Sequence, residues 1–164
     1  TFQITSVMKS LTVSENIQLA TNTIQENWFN FFKASNCQDY IFKKIDFCLS
    51  QVGLLKAINQ PVANLSHGDC RKLEIAMALA SDAELLLLDE PMAGLGPTET
   101  KEMIALLNKL KGQQTILLIE HDMDAVFALA DRISVLVSGE IIATGDPDKI
   151  RRDSAVQSAY LGEM

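Results

Sequence analysis

The spacing of apolar residues changes near residue 65. Before that point they recur at helical intervals. Trp28, Phe31 and Phe32 form one i, i+3, i+4 stripe, and Ile41, Ile45 and Cys48 or Leu49 form another. Such stripes predict core or partner-facing helix surface rather than a cofactor-binding box. Thr12 is placed to cap a helix over residues 13–20, with Glu15 three positions later as its reciprocal partner. The pattern predicts a small all-helical subdomain over residues 1–64, ending near Pro61.

From residue 65 onward strands and helices alternate. A helix over 68–81 leads into Leu85-Leu86-Leu87-Leu88, an apolar run that predicts a strand buried on both faces of a parallel sheet. A loop rich in Gly and Pro over 91–97 and a helix over 98–111 follow, with Gly112 placed to end that helix. A second strand over 115–119 runs into Glu120-His121-Asp122 and a helix over 123–130. Residues 133–137 and 140–144 flank Ser138-Gly139 and predict a hairpin, and a helical tail spans 147–161. This order implies an α/β layer with a mainly parallel sheet.

Composition narrows the picture. With 48% hydrophobic and 21% charged residues among 164, the chain can bury a core and is not a disordered segment. Lys+Arg 14 against Asp+Glu 21 gives a net charge of −7, which argues against a nucleic-acid surface. Cys37, Cys48 and Cys70 lack metal-type spacing and read as reduced thiols. No apolar run approaches the ~20 residues of a membrane span, so a membrane connection would run through a partner.

Four groups of residues carry candidate chemistry. Asp89-Glu90 ends the first strand, where α/β sheets place their ligands. Burial of an unpaired carboxylate is costly. A magnesium ion on Asp89 and a water activated by Glu90 would give the pair a use, since hard cations take carboxylate oxygen and a general base needs a free carboxylate. A strand simply ending in solvated charge is the alternative. Ser66 can cap the helix that follows, and Gly68 allows close backbone approach, so Ser66-His67-Gly68-Asp69 could form an anion site at free N–H groups, or an ordinary capped helix. His121 could donate to a phosphate oxygen, or be a solvated loop histidine. Gln3 could offer its carbonyl oxygen to a metal and its amide to a partner.

Taken in order, Gln3, Ser66, Asp89-Glu90, Gly94–Pro97 and His121 resemble the Q-loop, signature, Walker B, D-loop and H-loop of ABC-transporter ATPases. Leu11-Thr12-Val13 with Glu15-Asn16, Leu73-Glu74-Ile75-Ala76, Ala93-Gly94-Leu95-Gly96-Pro97 and the terminal Ala159-Tyr160-Leu161-Gly162 are similar to the ATPase subunits of branched-chain amino acid importers, with urea and amide importers as the near alternative. The resemblance implies the C-terminal part of a P-loop (RecA-like) α/β ATPase domain, over 65–164, joined to the helical subdomain. It implies ATP and Mg²⁺ as ligands. Glu90 would be the general base, Asp89 and Gln3 would serve the metal, and His121 would contact the γ-phosphate. Ser66, His67, Gly68 and Asp69 would form a signature facing ATP held by a second ATPase subunit, and Gly94, Leu95 and Gly96 would cross that dimer interface. Transmembrane permease subunits would dock on residues 8–60 and hold the protein at the inner face of the plasma membrane.

The sequence departs from the family pattern in informative ways. His67 and Asp69 replace Gly and Gln of the usual Leu-Ser-Gly-Gly-Gln, and Asp69 brings negative charge near a triphosphate. Gly96 holds the D-loop aspartate position, and Met77 stands where arginine is usual. Gly-x-x-x-x-Gly-Lys-[Ser/Thr], whose backbone and lysine cradle phosphates, is absent, as is any Gly-Lys dipeptide. The chain opens on Thr1 inside a motif and is expected to be the C-terminal portion of a longer ATPase, with little ATP affinity of its own. In the family the P-loop strand lies between strands 115–119 and 133–137, so exposed sheet edges and self-association are expected. A non-catalytic docking module that supplies only a signature half-site is the competing reading. A DNA-repair or chromosome ATPase is opposed by the acidic balance and by the lack of heptads between Gln3 and Ser66.

Overall fold

The computed structural model describes residues 7–22 and 34–160. Gln3, the Trp28–Phe32 stripe and Leu161-Gly162 lie outside these residues. The chain divides into two compact units, one through Ile119 and the other from Glu120.

The first unit begins with α1 (Val13–Asn22), α2 (Ala34–Val52) and α3 (His67–Ala80), and both α1 and α2 pack on α3. The start of α1 follows the sequence prediction: Glu15 Oε2 accepts from the Thr12 amide at 2.7 Å and from its hydroxyl at 2.8 Å, and the Glu15 amide returns a bond to Thr12 Oγ1 at 3.3 Å. One turn in, Asn16 is fully buried and fully used. Its amide nitrogen donates to the carbonyls of Met8 and Thr12, and its oxygen accepts from the Met8 amide at 2.7 Å. The chain before α1 is thereby fastened to it. Backbone bonds from Val13 to Gln60 and from Val62 to Leu11 bring the segment before α3 alongside, through short 3₁₀ turns at Leu55–Ala57 and Val62–Asn64.

The predicted stripe of α2 is realised: Ile45, Cys48 and Leu49 are all buried, as are Val13 and Ile17 of α1 and Leu73, Ala76 and Ala80 of α3. Burying one such aliphatic side chain is worth about 1.5–3 kcal/mol. The division drawn at residues 64 and 65 marks a change of sequence texture, and the packing of α3 on α1 and α2 runs across it.

After α3 come β1 (Leu85–Asp89), α4 (Pro97–Lys111) and β2 (Thr115–Ile119), with β1 and β2 paired in parallel from Leu85↔Thr115 to Asp89↔Ile119. The inner stripe of α4 is Met103, Leu106, Leu107 and Leu110, an i, i+3, i+4, i+7 set. One expectation is corrected here. The Leu85–Leu88 run is not buried on both faces: Leu86 is 2% exposed, whereas Leu85 is 46% exposed, and Leu117 and Ile119 of β2 are 56% and 58% exposed. Among the described residues the sheet has two strands, and the face carrying Leu85, Leu117 and Ile119 has no layer packed over it.

The second unit contains α5 (Met123–Leu129), the hairpin β3 (Ile133–Val137) and β4 (Glu140–Gly145), α6 (Pro147–Arg152) and α7 (Ser154–Tyr160). Its core is Ile133, Val135, Ile150 and Val156. Ser138 and Gly139 both take positive φ, 50° and 86°, as a type I′ turn requires. A bulge between Val135 and Leu136 breaks the pairing register. The tail is two helices rather than one. Asp153 adopts an extended ψ of 122°, and its carboxylate accepts from the amides of Ala155 and Val156, so it ends α6 and caps α7.

Candidate functional site

The first strand delivers its carboxylates as the sequence suggests. Asp89 is the last residue of β1 and is exposed. Glu90 follows with φ 44°, a left-handed conformation uncommon outside glycine and costing about 1–3 kcal/mol. Neighbouring backbone enforces it: the Glu90 amide donates to the Ile119 carbonyl at 2.9 Å, and its own carbonyl accepts from the Ala93 amide at 3.0 Å. The turn therefore redirects the chain immediately after Asp89, and Glu90 leaves the line of the strand.

Ser66 caps α3. Its backbone is extended (ψ 165°), and its hydroxyl accepts from the Asp69 amide at 3.1 Å. The loop after Glu90 comes back to this cap. His67 Nε2 lies 3.3 Å from the Ala93 carbonyl, so Nε2 carries the proton that it donates. Gly94, at φ 76°, lies under the same ring: a Cβ there would stand 3.3 Å from Nε2. Gly96 begins α4 without a side chain to cap it, and Glu99 supplies the reciprocal bond, its Oε2 accepting from the Gly96 amide at 3.1 Å. The other oxygen of Glu99 faces Gly68, where a Cβ would meet it at 2.7 Å. Asp69 is paired with Lys72 at 3.4 Å, and Lys72 continues to Glu102 of α4 at 2.7 Å. Partial burial works against the Lys72 charge, but these two carboxylates outweigh it and hold its pKa above the ordinary 10.5.

The structure thus brings Ser66, His67, Gly68 and Asp69 together with Gly94 and Gly96 on one rim of the first unit, and the Leu95 amide between them donates to the Met92 carbonyl at 3.1 Å. His121 belongs to the second unit. Its side chain is 72% exposed beside a Glu120 side chain that is 2% exposed, and its amide donates to Glu120 Oε2 at 3.2 Å. Asp122 caps α5 by accepting from the amides of Asp124 and Ala125. Gln3 lies outside the described residues. Glu99, Lys72 and Glu102 were not singled out from the sequence. Only Glu99 carries a local signal, as the acidic third residue of a helix that opens on Gly-Pro.

Asp89 offers an acceptor-only hard oxygen at the end of a strand. Among the described residues no three His, Cys, Asp or Glu side chains gather as a metal cage. A single carboxylate that shares an ion with substrate phosphates and water is how Mg²⁺ is usually held, so Asp89 fits that ion. No described helix is long and apolar enough to cross a membrane.

The family model described as ABC transporter matches residues 1–93, and that described as branched-chain amino acid ATP-binding cassette transporter matches residues 140–164. The chain is 39% identical over 170 residues to the high-affinity branched-chain amino acid transport ATP-binding protein LivG of Escherichia coli, covering 99% of this chain and 67% of that protein. It is 36% identical over 170 residues to the corresponding BraF of Pseudomonas aeruginosa, covering 99% of this chain and 67% of BraF. Among solved structures, the ADP conformation of MJ1267, an ATP-binding cassette of an ABC transporter, matches with TM-score 0.76 at 27% identity, covering 94% of this chain and 64% of that one. The chain therefore spans about two thirds of the length of the relatives it matches. On these likenesses, the chain belongs to the ABC transporter family of ATP-binding proteins, of the branched-chain amino acid importer type.

Proposed function

We propose that this chain is the signature and Walker B portion of an ATP-hydrolysing subunit that drives a branched-chain amino acid importer. The observation that carries the reading is the strained turn at Glu90, which follows directly on Asp89 at the end of β1. Asp89 would hold Mg²⁺, which would neutralise phosphate charge when bound. Glu90 accepts the proton of the attacking water, and His121 donates to the γ-phosphate. Ser66 and Gly68 reach the γ-phosphate of ATP bound by a second ATPase subunit, using amides at the start of α3. Gly94–Gly96 crosses to that subunit. The helices of residues 8–60 receive the permease, which keeps the protein at the inner face of the membrane, and Gln3 links nucleotide to permease.

Lys72, which Asp69 shares with Glu102, offsets part of the Asp69 charge. Without a Gly-Lys phosphate cradle, the 164-residue chain is inactive by itself, and its open sheet edge supports self-association. The test compares this chain with a longer form of the same protein that includes a phosphate cradle. The expected result is no submillimolar Mg-ATP binding by the chain, turnover by the longer form, and a loss of roughly 10²–10⁴ in kcat on Glu90→Gln. Submillimolar binding by the chain, or full turnover by the Glu90→Gln form, overturns the reading.

A further inference from the structure

The two residues that depart from the common signature, His67 and Asp69, both point back into their own chain. His67 bonds the Ala93 carbonyl, and Asp69 reaches Glu102 of α4 through Lys72. Between them, Glu99 is held by the Gly96 amide on one oxygen and packs against Gly68 with the other. Three separate contacts therefore tie the start of α3 to the loop and helix that follow β1, across 26 to 31 residues of chain.

We propose that His67 and Glu99 are positioning residues that lock the Ser66–Gly68 turn and the Gly94–Gly96 loop into one rigid rim, so that both elements meet the second subunit as a single body. The proposal rests on the reading of Ser66 and Gly68 as a half-site for nucleotide. It assigns His67 and Asp69 a role within their own chain rather than contact with that nucleotide. The chemistry is sufficient for the role. A ring N–H on a backbone carbonyl fixes the loop at Ala93. The Glu99 carboxylate cannot move away from Gly68 without releasing the Gly96 amide, because one rigid group serves both. The Gly96 amide, at the N-cap of α4, takes its acceptor from Glu99 at the third helical position.

The test is amide hydrogen exchange on the 164-residue chain without nucleotide. His67→Ala leaves Glu99 untouched, yet should speed exchange at the Gly96 amide roughly ten-fold, about one hydrogen bond's worth of protection. The Leu49 amide in α2 should not change. His67→Gln, which keeps a donor for the Ala93 carbonyl, should restore most of the protection. From the opposite side, Glu99→Ala should speed exchange at the Asp69 amide. Acceleration confined to the mutated side, or uniform acceleration that includes Leu49 in both variants, overturns the proposal. In the longer form, His67→Ala should lower kcat with little change in the KM for ATP, and a change in KM alone would count against the rim. Failure of the longer form to hydrolyse ATP would remove the half-site reading but leave the exchange result standing.

Discussion

The helices of the first unit are amphipathic and its two strands are almost wholly apolar, and the two regions finish differently. The predicted stripe of α2 is buried at Ile45, Cys48 and Leu49, and the buried side chain of Asn16 in α1 is bonded at both ends of its amide. In β1 and β2 the apolar residues of one face stay exposed. A helix satisfies its own backbone and needs a neighbour only along one stripe. A strand needs neighbours at both edges, and in a parallel sheet it needs layers on both faces. Within the described residues the helices share a buried core although Leu19, Phe42 and Phe47 stay exposed, whereas one whole face of the sheet has no layer over it.

Substitutions should separate the two regions most clearly. Leu49→Ala, at a side chain with 0% exposure, should cost about 2–5 kcal/mol in a denaturant titration. Leu117→Ala, the same chemistry on the open sheet face, should stay within about 0.5 kcal/mol. Equal losses would mean that the sheet face is covered in solution. Asn16→Ala should come next, at about 1–3 kcal/mol, because it leaves the Met8 amide without its acceptor while the region around it stays packed. A loss smaller than that of a surface control would show that the clip before α1 opens freely.

The open sheet gives a third contrast. Light scattering at high concentration should find self-association that falls on Leu117→Lys, since a charge on an exposed face discourages pairing. A strictly monomeric parent chain would contradict the proposal that the sheet drives association. The smallest effect is a pH dependence at the start of α1. Glu15 has its pKa held below the ordinary 4.5 by the hydrogen bond from the Thr12 amide, and then by that from the Thr12 hydroxyl. A carboxylate with a lowered folded-state pKa contributes stability above the unfolded value and loses it as pH falls through the folded one. The stability gap between the parent chain and Glu15→Gln should therefore be widest at neutral pH and shrink as pH drops below 4.5. A gap that does not vary with pH would mean the capping bonds do not persist in solution.

Legibility in the sequence followed the same divide. Thr12 with Glu15, the Ser66 cap and the Ser138-Gly139 turn were readable because each depends on contacts within three or four residues. The break at Asp153 had the same kind of signal, an aspartate placed to cap, hidden inside a stretch of helix-compatible residues. The exposure of Leu85 departs from the expected burial of the Leu85–Leu88 run because burial depends on layers that the local pattern does not contain. The bridge from Lys72 to Glu102 and the bond from His67 to Ala93 join residues 30 and 26 apart, beyond any periodicity. Their residues were visible in the sequence, but their partners were not.

The left-handed turn at Glu90 bears on how this protein could change over generations. A glycine would occupy that backbone with less strain, so tolerance to heat and retention of the carboxylate pull in opposite directions at one codon. A library screened only for thermal tolerance should drift toward glycine or asparagine there. On the proposal that Glu90 accepts the proton of the attacking water, a library screened for ATP turnover should hold its glutamate and find its gains elsewhere.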